Sequence, residues 1–186
     1  MMLDERMEDY FEITVKSILK SLSEANNTNN TNNTEIYYYG SKVKYGFNFN
    51  KGATDTELRN FETKIGYTIP SDYKEFLQYT NGLEFQNDDA KILDIKEILE
   101  CYEIFDYPEH MIIIATSLSS QLHIAINLLS SENDNNIYVV DPIADDYFIS
   151  IKSDFTEFLN RFLSCYGSDY WNWGLDTSDK VLKLEE

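Results

Sequence analysis

The stretch from Thr54 to Gly82 constrains the fold more than any other part of the chain, because its punctuation dictates two short helices in succession. Thr54 and Glu57 have the spacing of a capping box, in which the Thr hydroxyl accepts from an amide one turn on and the Glu reaches back to the Thr amide. Leu58, Phe61 and Ile65 then share one helical face, and Gly66 supplies the left-handed residue that ends such a helix. After Tyr67, Thr68 and Ile69, Pro70 presets the first turn of a second helix. Tyr73, Phe76, Leu77 and Thr80 recur there at three and four residues, and the helix stops at Asn81-Gly82.

Strand patterns surround this pair. Glu35 to Asn50 alternates in its second half, with Val43, Tyr45, Phe47 and Phe49 on one side and Lys42, Lys44, Gly46 and Asn48 on the other. Leu83 to Phe85 reads as extended, followed by an acidic loop at Asp88 and Asp89, a strand near Ile92 and a helix over Ile95 to Tyr102. Met111 to Thr116, Leu122 to Leu128, Ile137 to Asp141 and Tyr147 to Ile151 are β-rich runs joined by polar turns, which predicts an antiparallel meander. Ser153 caps a final helix whose Phe155, Phe158, Leu159, Phe162, Leu163 and Tyr166 form an apolar stripe for the sheet.

At the other end, Leu3, Met7, Tyr10, Phe11, Thr14, Val15, Ile18, Leu19 and Leu22 predict an amphipathic helix over residues 3–22. The triplet Asn-Asn-Thr then repeats from Asn26 to Thr34 with nothing apolar to bury, and reads as a flexible linker. Each triplet matches an N-glycosylation acceptor, a modification that needs secretion. The expected organisation is an N-terminal helix (1–25), a linker (26–34) and one domain (35–186), in an α+β fold with helices packed on a mostly antiparallel sheet. A length of 186 residues suits one domain.

Charge narrows the function. The chain carries 33 acidic against 15 basic residues, a net of −18, and its arginines are Arg6, Arg59 and Arg161. Phosphate backbones are bound by Lys and Arg that displace counterions, so this composition argues against nucleic acid. It favours fast association with a basic partner, and it also serves solubility. Asp4, Glu5, Glu8, Asp9 and Glu12 interrupt the N-terminus where a signal peptide needs an apolar run. Thr116, Ser117, Ser119, Ser120, Gln121 and His123 break the apolar stretch Met111 to Leu129, so it reads as two strands and a turn, with no membrane span. Cys101 and Cys165 lack ligand spacing and read as free thiols in a reducing compartment, which makes the cytoplasm the expected location.

The ordered set Thr54, Glu57, Leu58, Phe61, Glu62, Ile65, Gly66, Ile69-Pro70, Asp72-Tyr73, Phe76-Leu77, Thr80 and Asn81-Gly82 resembles the N-terminal signature of the SUKH superfamily, domains similar to a yeast regulator of cell-wall glucan synthesis. The signature covers residues 53–82. The likeness extends over about residues 50–165, through the strands Met111 to Ala115 and Ile137 to Asp141 and the helix start at Ser153-Asp154-Phe155. One departure is Thr116 to Gln121, which has no Gly where family members commonly place Asp and Gly. The resemblance implies helices on a mostly antiparallel sheet. It also implies use in bacteria as an immunity protein against a toxin encoded beside it, often a nuclease or deaminase, while other members serve as scaffolds or regulators of cell-wall or signalling machinery.

A search for chemistry finds little. His110 follows Pro108-Glu109 in a loop and His123 lies in an apolar strand; both read as ordinary histidines. No Gly-rich phosphate loop, metal-spaced His pair or Ser elbow stands in the sequence. The acidic groups at Asp88-Asp89, Glu132 to Asp134 and Asp141 to Asp146 lack the ligand spacing of a calcium loop, so neither a metal nor a cofactor is expected. They read either as solvated turns or as a negative face that competes for the basic groove of a toxin. Catalysis through Asp141 and Asp145 rests only on their closeness. Tyr170, Trp171 and Trp173 read either as cover for the core or as interface anchors, and in a strand the two Trp would share a face. The candidate contacts for a cognate, basic toxin are therefore Asp88, Asp89, Asp141, Asp145, Asp146, Trp171 and Trp173.

Overall fold

The structure, a computed structural model, describes residues 13–28, 34–38, 41–86, 90–117, 122–130, 135–143 and 148–172. Seven antiparallel strands stand in chain order in one sheet: β3 (Phe47–Phe49), β4 (Leu83–Phe85), β5 (Lys91–Ile92), β6 (Met111–Thr116), β7 (His123–Asn127), β8 (Ile137–Val140) and β9 (Ile149–Ser150). Helices α2 (Asp55–Ile65) and α3 (Ser71–Tyr79) lie between β3 and β4, α4 (Ile95–Ile104) lies between β5 and β6, and α5 (Phe155–Ser164) follows β9. The fold is α+β, and the meander read from residues 111–151 is present with three further strands at its side.

The register explains why helices cover both faces. One cross-strand row reads Phe49, Leu83, Ile92, Ala115, Ile124, Val139, Ile149, all apolar. The adjacent row, which points to the other face, reads Asn48, Glu84, Lys91, Thr116, His123, Val140. Phe85 shares the face of Leu83 and meets Phe162 of α5 edge-on with centroids 5.5 Å apart, so α5 covers the apolar row. Lys91, on the polar row, pairs with Glu97 of α4, so α4 lies across the opposite face. Helix α3 lies beside α5: Tyr73 and Phe76 both pack on Phe155, and Asp72 accepts from the Thr156 amide and hydroxyl. Burial and the nearby Asp154 charge raise the Asp72 pKa, and the bonds it accepts oppose them.

Several boundaries differ from the sequence reading. Helix α1 runs Val15–Thr28 and starts after Thr14, whose hydroxyl accepts from the Ser17 amide at 3.1 Å; Leu3, Met7, Tyr10 and Phe11 lie outside the described residues. It packs on α3 and α5, burying Val15 and Leu19, and it continues through Asn26 to Thr28, where a linker was expected. An established helix gains a hydrogen bond with each added residue, which carries it one turn into weak formers. The alternation from Val43 to Phe49 is two strands: β2 (Ser41–Tyr45) pairs with β1 (Thr34–Tyr38) in a separate hairpin, and Gly46 separates it from β3. The cap of α5 is Asp154, which accepts from the Glu157 amide at 2.7 Å, whereas the neighbouring Ser153 is buried and donates to the Glu157 carboxylate. Both are good capping residues, and only the backbone conformation chooses between them.

Candidate functional site

The family-like signature is spent on holding the fold. Thr54 and Glu57 form the expected capping box, with Glu57 Oε2 accepting from the Thr54 amide at 2.7 Å. Those bonds, the backbone one first, lower the Glu57 pKa. Glu62 accepts from the Ile69 amide and pairs with Lys74 of α3 at 3.2 Å. Pro70 stands at the N-cap of α3 with φ −53°. Thr80 accepts from the Asn50 amide and donates to the Gly82 carbonyl. Asn81 takes the Ile95 amide of α4 on its side chain, and its carbonyl accepts from the Asn50 side chain. Gly82 has φ +88°, and a Cβ there would stand 2.9 Å from the Asp94 nitrogen, so only Gly lets this turn meet the start of α4.

What these ties create is a groove of about 410 Å³ between α2 and α4, lined by Glu57, Lys64, Asn81, Ile95, Lys96, Leu99, Glu100 and Glu103. That volume is in the range of about 300–1,000 Å³ typical of ligand sites. Half-buried Ile95 and Leu99 form its apolar part. Its carboxylates are engaged: Glu57 in the cap, Glu103 with Lys64 at 3.0 Å across the groove, Glu100 with Lys96 at 3.4 Å. The lining contains no Ser, Thr, Cys or His; its charged groups are these three glutamates with Lys64 and Lys96.

The residues singled out from sequence fall elsewhere. Asp141 is exposed at the end of β8, where its side chain accepts from the Ile143 amide at 2.9 Å and holds the almost fully exposed Ile143 (91 %) outward. Trp171 sits in a single 3-10 turn (Tyr170–Asn172), edge-on to Tyr170 with centroids 5.2 Å apart and packed on the core. Tyr170 in turn lies under the Arg161 guanidinium of α5. Asp88, Asp89, Asp145, Asp146 and Trp173 lie outside the described residues.

His123 is on the polar row, edge-on to the rings of Phe105 and Tyr107, and its buried Nδ1 has no hydrogen-bond partner among the described residues. Burial lowers its pKa and the Asp141 charge opposes that shift. His110 lies in the turn before β6. Burial raises both thiols, Cys101 and Cys165, which are free. Among the described residues no group of three or more His, Cys, Asp or Glu is placed to hold a metal, and no helix is long and apolar enough to cross a membrane.

Residues 52–161, more than half of the chain, match the SMI1 / KNR4 family (SUKH-1). The chain belongs to this family. Two Bacillus subtilis (strain 168) proteins are similar to it. YnaB, described as an uncharacterized protein, is 32 % identical over 127 residues, 67 % of this chain and 86 % of its own. YobM, also described as uncharacterized, is 24 % identical over 190 residues, 95 % of this chain and 99 % of its own, a span that reaches the region of α1. The SUKH match thus takes in α2 to α4, the groove they form, the sheet from β4 onward and most of α5, and leaves out α1, the β1–β2 hairpin and β3.

The groove was not among the sequence candidates. Its trace is the pair Glu100 and Glu103 on α4, continuing at the same three-residue spacing from Asp94 and Glu97, which form that helix's capping box.

Proposed function

We propose that this SUKH protein is an immunity protein: it binds a cognate bacterial toxin, covers the toxin's working surface, and catalyses no reaction itself. The observation that carries the reading is the family match over residues 52–161. Two features support it. The polar signature residues serve as caps and interhelical ties, Thr54 with Glu57 in the capping box and Asn81 on the Ile95 amide. The net charge of −18 suits steering toward a basic partner. On this reading Asp88, Asp89, Asp141, Asp145 and Asp146 are the chain's acidic contacts with the toxin, and Trp171 and Trp173 its aromatic ones.

Co-expression tests the reading. The toxin-like gene encoded beside this one is induced in a sensitive host with this chain or with an empty vector. Survival only in the presence of the chain, with a complex whose association slows as salt rises, is the expected result. Equal survival in both hosts removes the immunity reading, and recovery of several neutral or acidic partners in its place moves the protein to the scaffold class.

A further inference from the structure

We infer that the groove between α2 and α4 seats an Arg-flanked aliphatic helical segment of a protein partner; this deepens the immunity reading and rests on it for the partner's identity. The argument begins with α4. A step of three residues turns a helix by about 300°, so acids at that spacing wind slowly round it. Glu97 meets Lys91 of β5, Glu100 stands on the groove's rim, and Glu103 meets Lys64 of α2. Beyond the helix, Asp106 and Glu109 are exposed, as is Ile104 (74 %) at its last turn.

Inside the rim lie Ile95 and Leu99, one helical turn apart and half-buried, as a floor for aliphatic side chains at matching spacing. From Ile95 to Glu103 the helix rises about 12 Å, enough to hold about two turns of a partner helix. The two lysines do not close the site to cations. Lys64 and Lys96 are 55 % and 83 % exposed in their pairs, and exposed pairs of this kind contribute little. An arginine brings a planar fork that matches a carboxylate at two points, so it displaces a lysine whose flexible stem swings back to water.

The test uses the full chain and a synthetic peptide with two leucines one turn apart, flanked by arginines. Two control peptides replace its leucines with serines or its arginines with glutamates. Amide shifts are followed during titration. The expected result is movement confined to Asn81, Ile95, Leu99, Glu100 and Glu103, absent with both controls, and binding about tenfold or more weaker in a Glu100→Lys/Glu103→Lys variant. Both side chains are exposed, so the variant retains the fold; Leu99→Ser provides a second, uncharged disruption. Shifts spread over the acidic loops, binding unaffected by leucine removal, or no binding at all would each overturn the proposal. So would movement of the same amides with protein concentration alone, which would place a second copy of this chain in the groove.

Carrying the double variant into the toxin co-expression experiment separates the two readings. Protection by the wild type and not by the variant supports both. Protection by both proteins leaves immunity standing and removes the groove. With no protection by either, immunity fails and the peptide titration alone decides the groove.

Discussion

Helices α4 and α5 have the same length, 10 residues, and the same kind of start, an Asp whose carboxylate accepts the amide three residues on, yet the sheet uses them in opposite ways. Helix α5 buries Phe155, Phe158, Leu159, Phe162 and Leu163 on the apolar face. Helix α4, across the polar face, fully buries only Ile98 and lays half-buried Ile95, Leu99, Cys101 and Tyr102 against the core, with the pairs Glu97–Lys91 and Glu103–Lys64 at its margins. The difference lies in what recurs at helical spacing, phenylalanine in one and glutamate in the other. A helix anchored by its core cannot alter its outer face without consequence for folding. One held by a single buried residue and a few half-buried side chains, with weak exposed ion pairs outside them, keeps a surface that binding can reorganise.

Four changes break or sharpen this contrast. The largest effect belongs to Phe158→Ala, which empties a site with no exposure between Phe155 and Phe162; a loss of about 3–5 kcal/mol in denaturant unfolding is expected. A loss below about 1 kcal/mol would mean that α5 is not the core's anchor. Asp154→Ala removes the α5 cap and costs about 1 kcal/mol, with no change in the denaturant slope.

Lys64→Ala breaks the bridge across the groove for at most about 1 kcal/mol, since both partners are more than half exposed. A loss as large as that of Phe158→Ala would show that α4 is core-like after all. The smallest effect is electrostatic. Burial lowers the His123 pKa, so the unfolded chain takes up the proton first as pH falls. The contribution of His123 to stability is present above the ordinary value of 6.5 and is lost as pH drops through the folded one. Between pH 7.5 and 5, stability should decline with a slope of less than one proton, and His123→Gln should flatten that slope. Parallel curves for the two proteins would assign the decline to other groups. Asp72, raised from 3.8, has the opposite sign, contributing stability at low pH that is lost as pH rises through its folded value.

Sequence carried the paired helices well because every instruction there is local: Thr54 and Glu57 are three residues apart, and Gly66, Pro70 and Gly82 act through their own backbone preferences. Where adjacent residues could do the same work, as with Ser153 and Asp154, the choice needed the chain's path. Gly46 was harder, since the alternation from Val43 to Phe49 runs unbroken through it, and only the partners show that β2 pairs with β1 while β3 pairs with β4. The groove depends on contacts between Lys64 and Glu103 and between Asn81 and Ile95, pairs that no periodicity connects. Its legible part is Glu100 and Glu103 on α4, a pair whose spacing does not specify what stands opposite. Trp171 was legible only as an aromatic that could cover the core or face a partner; its place in a tight turn against Tyr170 depends on the path of the chain after α5.

The unbroken chain order of the seven strands has a consequence during synthesis. As residues leave the ribosome, each new strand finds its partner already waiting as the latest edge, so the sheet can lengthen in the direction of translation without rearrangement. The row from Phe49 to Ile149 is complete once β9 appears, but its chief cover, α5, comes last. Until about residue 163 emerges, the nascent chain displays a greasy surface to chaperones and to its neighbours. Messages cut short in that interval would yield proteins prone to clump, while those completed a dozen codons later would not.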